Sequence, residues 1–155
     1  MGVNFFLERK FKTWITPHSK EFGRLFPNIK SKTNVGLARD AAKEFNISIL
    51  LKGANSIVAD NKKVWQLFGT DSQTARAGLG DLLSGFVAGS SAIDLTLCRN
   101  ISTDFFAKYV LLHSFAASKC KSGSNASAIG DELAKLMRNT KTVSYTHLTL
   151  PTIRL

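Results

Sequence analysis

Thr33-Asn34-Val35-Gly36-Leu37-Ala38-Arg39-Asp40-Ala41-Ala42-Lys43-Glu44-Phe45-Asn46 runs straight into Ile47-Ser48-Ile49-Leu50-Leu51-Lys52-Gly53. Val35, Ala38, Ala42 and Phe45 recur at helical spacing. That predicts a helix opened by Thr33 or Asn34 and closed by Asn46. The apolar run Ile47 to Leu51 reads differently: nearly every side chain is greasy, as in a strand buried on both faces. Upstream, Thr13 to Thr16 supplies a short strand, which Pro17 ends by removing a ladder donor. Strand, helix, strand in that order predicts an α/β fold with a mainly parallel sheet flanked by helices.

Outward from this join, Ser19 is expected to cap a short helix through Leu25. Ser56 to Ala59 and Val64 to Phe68 flank the polar Asp60-Asn61-Lys62-Lys63 and predict a hairpin. Gly69 to Ala77 reads as a polar loop. Leu82 to Gly89 continues as a helix, apolar on most sides and so expected to be buried. Ser102 or Thr103 opens a long helix through about Cys120. Asn125 or Ser127 precedes another through Met137, with the linker-like Lys121-Ser122-Gly123-Ser124 between them.

Chemistry concentrates where the loop meets the helix, in Arg76-Ala77-Gly78-Leu79-Gly80-Asp81-Leu82-Leu83-Ser84-Gly85. Two glycines one residue apart leave backbone N–H groups bare, and the helix N-terminus behind them favours an anion. A carboxylate at the rim of such a cradle can take the proton from a hydroxyl attacking a phosphate. An acid there also serves as an ordinary helix-start residue, stabilised by the dipole. Lys52 ends a buried strand, where its ammonium can reach phosphates as a point charge or simply snorkel to solvent. His18 follows Pro17 at a strand exit, the edge where α/β proteins bind ligands, and a surface turn histidine fits the same position. Glu21 supports the first turn of the next helix. His113, between Leu112 and Phe115, reads as a satisfied core or interface histidine, and Trp14 and Trp65 as core or edge aromatics.

The 155 residues allow one domain, and 44% hydrophobic content supplies a core for it. A net charge of +10 suits anionic partners. The basic residues are scattered, however, with no aromatic-interleaved stripe, so the charge reads as solvated surface and not as a nucleic-acid site. Cys98 and Cys120 have no neighbours at metal-ligand spacing, and no metal ligand set is visible. The longest apolar stretch falls short of a bilayer span, and no signal pattern opens the chain. No membrane association and a cytoplasmic location are expected.

Ile15-Thr16-Pro17-His18-Ser19-Lys20-Glu21-Phe22, Ile49-Leu50-Leu51-Lys52-Gly53 with Ile57-Val58-Ala59-Asp60, and Gly78-Leu79-Gly80-Asp81 together resemble the NAD(P)H-hydrate dehydratase family, a ribokinase-like group. The resemblance covers roughly Gly2 to Met137. The family run is usually Gly-Gly-x-Gly-Asp; Ala77 stands in the place of its first glycine. The resemblance implies a three-layer ribokinase-like fold and a repair activity: ADP or ATP drives dehydration of hydrated NADH and NADPH, by phosphorylation of the hydrate hydroxyl and elimination of phosphate. It further implies Asp81 as catalytic base, Gly78, Leu79 and Gly80 as the phosphate cradle, and Lys52, Gly53, Ala54, Asn55, Ser56 and Gly80 on the nucleotide. His18 and Asp81 would contact the hydrate, with Mg²⁺ expected by analogy and a homo-oligomer expected at full length. Two other readings are a small-alcohol kinase of the same superfamily, releasing a stable phosphate ester, and a nucleotide-binding fragment without catalysis. The thiazole-kinase branch tends to carry Cys where Asp81 stands.

The family also places a strand ending in an Asp-Ala-Asp-like run before the segment resembling Gly2-Val3-Asn4-Phe5. That run is not in this sequence, so the N-terminal half of the sheet is expected to lie outside it. At the other end, Val143 to Thr152 resembles a translated sequencing-library adapter. Residues 1–142 are thus expected to form the partial ribokinase-like domain and 143–155 a tail foreign to it; a terminal β-strand is the other reading.

Overall fold

The computed structural model describes residues 3–68, 78–97, 101–121, 123–140 and 152–154. They fall into two compact units. In the first, α1 (Asn4–Leu7) and β1 (Trp14–Ile15) precede α2 (Ser19–Leu25) and α3 (Asn34–Phe45). The strands β2 (Ser48–Leu51), β3 (Ser56–Ala59) and β4 (Val64–Leu67) follow. With β5 (Thr152–Arg154) they make one sheet in the order β1-β2-β3-β4-β5.

Helix α3 forms where its periodicity predicts. The Thr33 hydroxyl accepts from the Gly36 N–H at 3.0 Å, and Asn46 closes the helix in the left-handed region at φ 50°, ψ 47°. Ala38, Ala41 and Ala42 are fully buried against the sheet, small enough to let the helix approach it closely. Phe45 ends this stripe and packs on Phe26, which packs on Phe22, each pair of rings 5.0 Å apart. Every residue of β2 and β3 is buried, Leu50 and Val58 as completely as Ile49 and Ile57, so both faces of these strands are out of solvent.

The sheet is mixed, not mainly parallel. Among the described residues only β1 and β2 run parallel, with Trp14 opposite Ser48 and Ile15 opposite Ile49; the β2–β3, β3–β4 and β4–β5 pairs are antiparallel. Connection length explains this. Parallel strands need a crossover of a dozen or more residues, which α2 and α3 supply between β1 and β2. The short Lys52–Asn55 and Asp60–Lys63 links between β2, β3 and β4 permit only hairpins. In the second of these, Asp60 Oδ1 accepts from the N–H groups of Lys62 and Lys63, both at 2.6 Å, which pins the turn.

The second unit contains α4 (Leu79–Thr96), α5 (Thr103–Lys119) and α6 (Ala126–Thr140), with α5 packed on both others. Helix α4 is longer than its apolar run predicts, and it starts three residues earlier because Gly78 turns the chain at φ +81° directly before Leu79. It is also less buried than expected. One stripe is covered, Leu83, Val87, Ser90 and Asp94, whereas Ile93, Leu95 and Leu97 are 59%, 62% and 56% exposed. The stripe holds an acid: the buried Asp94 carboxylate accepts from the Tyr109 hydroxyl of α5. Helix α6 is capped by Asn125, whose Oδ1 accepts from the Ala128 N–H at 3.0 Å. The polar loop read at Gly69 to Ala77, Cys98, and the stretch from Val143 to Pro151 lie outside the described residues.

Candidate functional site

His18 and Lys52 come together, and the reason is the one parallel pair of strands. Beyond Ile15 and Ile49 the β1–β2 ladder continues as a parallel bridge between His18 and Lys52, and the Lys52 N–H donates to the Pro17 carbonyl at 2.9 Å. Both residues thus stand at the carboxyl ends of adjacent parallel strands, where α/β sheets present ligand-binding groups. Their side chains are part-exposed, 51% for His18 and 30% for Lys52.

His18, not Ser19, caps α2. Its Nδ1 accepts from the Lys20 and Glu21 N–H groups, each at 3.2 Å, and Glu21 Oε2 accepts from the His18 N–H at 2.7 Å. This is a reciprocal capping box with histidine in the place usually held by serine or threonine, because the imidazole lone pair supplies the same acceptor. Glu21 also lies 3.9 Å from the Lys52 ammonium and 3.4 Å from His18 Nε2. The His18 backbone N–H bond holds the Glu21 carboxyl below the usual carboxylate range; desolvation opposes it, and the positive charge of Lys52 and Arg24 reinforces it. Sequence reading saw Glu21 as a support of the turn and missed its tie to Lys52. The capping-box spacing His18-x-x-Glu21 carried half of that signal; the other half needed the β1–β2 register.

The loop after Lys52 is short. Gly53, Ala54 and Asn55 are exposed bends, and the buried Ser56 hydroxyl donates to the Gly53 carbonyl at 3.2 Å. Gly53 to Asn55 thus face solvent, whereas Ser56 braces the loop from below.

Gly78, Leu79, Gly80 and Asp81 belong to the second unit. Gly78 is the N-cap of α4, and its carbonyl accepts the first intrahelical bond from the Leu82 N–H at 3.0 Å. Leu79, Gly80 and Asp81 are therefore the first turn of the helix and not a turn ahead of it. Their N–H groups have no acceptor within the helix, and Gly78 at the N-cap position supplies no side-chain cap. An αL glycine ahead of three helix-start amides has the chemistry to receive an anion, with the exposed Asp81 carboxylate at the third position.

His113 is buried as expected but is not satisfied: Nε2 has no hydrogen-bond partner, and desolvation lowers its pKa to about 4. Among the described residues, no three His, Cys, Asp or Glu side chains gather to hold a metal ion, and no helix is long and apolar enough to cross a membrane.

Similarity to known proteins follows the same lines. The chain is 42% identical over 94 residues to the bifunctional NAD(P)H-hydrate repair enzyme Nnr of Gloeobacter violaceus, an alignment covering 60% of this chain and 18% of that protein. Its fold matches that of the ADP/ATP-dependent NAD(P)H-hydrate dehydratase of Bacillus subtilis co-crystallized with ATP/Mg²⁺. There the TM-score is 0.67 at 21% identity, over 85% of this chain and 49% of that one. A ribokinase-like superfamily protein of Enterococcus faecalis matches at a TM-score of 0.69 and 23% identity, over 88% of this chain and 50% of that one. The chain thus spans half or less of the length of these relatives. Its α/β architecture is the ribokinase-like one, and the family model for NAD(P)H-hydrate dehydratase matches residues 3–143; the chain belongs to the NAD(P)H-hydrate dehydratase family.

Proposed function

We propose that this chain contributes the nucleotide and substrate groups of an enzyme that restores NADH and NADPH from their hydrated forms at the expense of ADP or ATP. The observation that carries this reading is the meeting of His18 and Lys52 at the carboxyl ends of β1 and β2, in a chain of this family. Lys52 offers a cation to the nucleotide phosphates, and Gly53 to Asn55 are exposed beside it. Gly78 and the amides of Leu79, Gly80 and Asp81 receive the transferred phosphoryl group. Asp81 accepts the proton of the hydrate hydroxyl as its oxygen attacks the terminal phosphorus and the nucleotide leaves one phosphate shorter. The C–O bond of the phosphorylated hydrate then breaks, phosphate departs with the electron pair, and loss of a proton from the neighbouring carbon restores the double bond.

Mg²⁺ in such sites is held largely by the nucleotide's own phosphates, and among the described residues no three His, Cys, Asp or Glu side chains gather to add a dedicated ligand set. Bound there, the ion would neutralise charge on the phosphates.

The test uses the protein expressed from its full reading frame. Hydrated NADH with ADP or ATP should yield the absorbance of NADH; a stable phosphate ester in its place would shift the activity to a kinase. Lys52→Met should weaken nucleotide binding about tenfold, the loss of one charge-assisted contact. Titration calorimetry checks this, and unchanged affinity would remove Lys52 from the nucleotide site.

A further inference from the structure

We propose that Glu21 is a positioning residue that presents His18 to the ligand as a hydrogen-bond donor through Nε2 and steadies the Lys52 ammonium beside it. The inference deepens the reading above and rests on it for the statement that His18 faces the hydrated cofactor. Its own footing is the geometry of one cluster. Two backbone N–H groups point at His18 Nδ1, each at 3.2 Å. A nitrogen that accepts from two donors carries no proton, so the ring proton resides on Nε2. Glu21 Oε2 accepts from the His18 backbone N–H at 2.7 Å and closes the box, which holds the helix start whose amides meet Nδ1. The same carboxylate lies 3.4 Å from Nε2 and 3.9 Å from Lys52 Nζ.

The chemical consequence is a division of labour. With Nδ1 occupied by the helix start and Nε2 protonated, His18 has no lone pair to offer and does not act as a base. The ligand atom that meets Nε2 is an acceptor, such as a carbonyl, hydroxyl or phosphate oxygen. Proton removal is left to Asp81. Glu21 touches no reacting atom in this scheme; it acts through His18 and Lys52.

A purely structural capping box would show the same distances, so the test separates the cap from the donor. Long-range ¹H–¹⁵N spectra of histidine-labelled protein, expressed from the full reading frame without ligand, should show His18 with a bare Nδ1 and a protonated Nε2. Glu21→Ala should mix the two tautomers and lower kcat/KM for hydrated NADH about tenfold, as displaced positioning groups do. Glu21→Gln keeps a carbonyl acceptor for the His18 N–H and should recover most of both effects. His18→Asn retains a good helix cap but deletes the Nε2 donor, so it should keep the thermal stability and raise the KM for the hydrate. A proton on His18 Nδ1 in the unaltered protein, or hydrate kinetics unchanged in His18→Asn, would overturn the proposal. If no form turns over the hydrate, the repair activity itself falls; the tautomer spectra then still decide whether Glu21 sets the ring.

Discussion

Asp81→Asn is expected to lower turnover of hydrated NADH by about 10²- to 10⁴-fold, the usual worth of a general base, while nucleotide affinity stays close to that of the unaltered protein. The substitution is nearly isosteric, and Asp81 is exposed at the third position of α4, so no packing is disturbed. What the helix loses is an acid near its positive end, about 0.3–1 kcal/mol, too little to unfold it. The amides of Leu79, Gly80 and residue 81 remain to receive phosphate. Steady-state kinetics paired with nucleotide titration therefore separates the two roles. Turnover surviving at the level of the unaltered protein would strip Asp81 of the proton-acceptor role and leave it a helix-start residue.

The second large effect is a loss of stability in acid traced to His113. The residue is 7% exposed, Nε2 has no partner, and burial lowers its pKa from 6.5 to about 4. The sign follows from linkage. Between pH 6.5 and about 4 the unfolded chain takes up a proton that the folded chain refuses, so stability falls as pH falls through that window. The loss is complete below the folded value. At about 1.4 kcal/mol per unit the full effect is at most about 3.5 kcal/mol. Denaturant unfolding at pH 7 and pH 4, compared between the unaltered protein and His113→Phe, measures it, because carboxylates that titrate in the same range cancel between the two. Equal acid sensitivity in both would show that the histidine ring is not the source.

Much of the fold was legible because local chemistry and packing agree. Thr33 and Asn46 bound α3 as their capping and αL preferences require, the apolar run at Ile49 to Leu51 is a strand buried on both faces, and Asp60 pins the hairpin that its polar turn announced. What was illegible depended on partners distant in sequence. The apolar residues of α4 surround the helix, so the sequence does not say which of them α5 covers; Ile93 and Leu95 turned outward and Asp94 inward. The sheet was read as mainly parallel because its one helical crossover lies where the strand pattern is most distinct, while the short links that force antiparallel pairing carry little pattern of their own. At the candidate site, the glycine turn could be placed from residue type alone. Whether His18 and Lys52 share a place is a matter of strand register, and no property of either residue states it. Imidazole as a helix cap was missed because Ser19, the commoner cap, stands next to it.

The single parallel pairing has a kinetic consequence. The hairpins β2–β3 and β3–β4 close across links of a few residues, whereas Trp14 must find Ser48 across α2 and α3. Non-local contacts are reached only after the entropy of closing the long loop has been overcome. The His18–Lys52 bridge lies at the far end of that ladder, so the pair that would meet the ligand forms only with the entropy cost of closing that loop. A compound that binds the two together would offset that cost, stabilise the native state and slow escape from it.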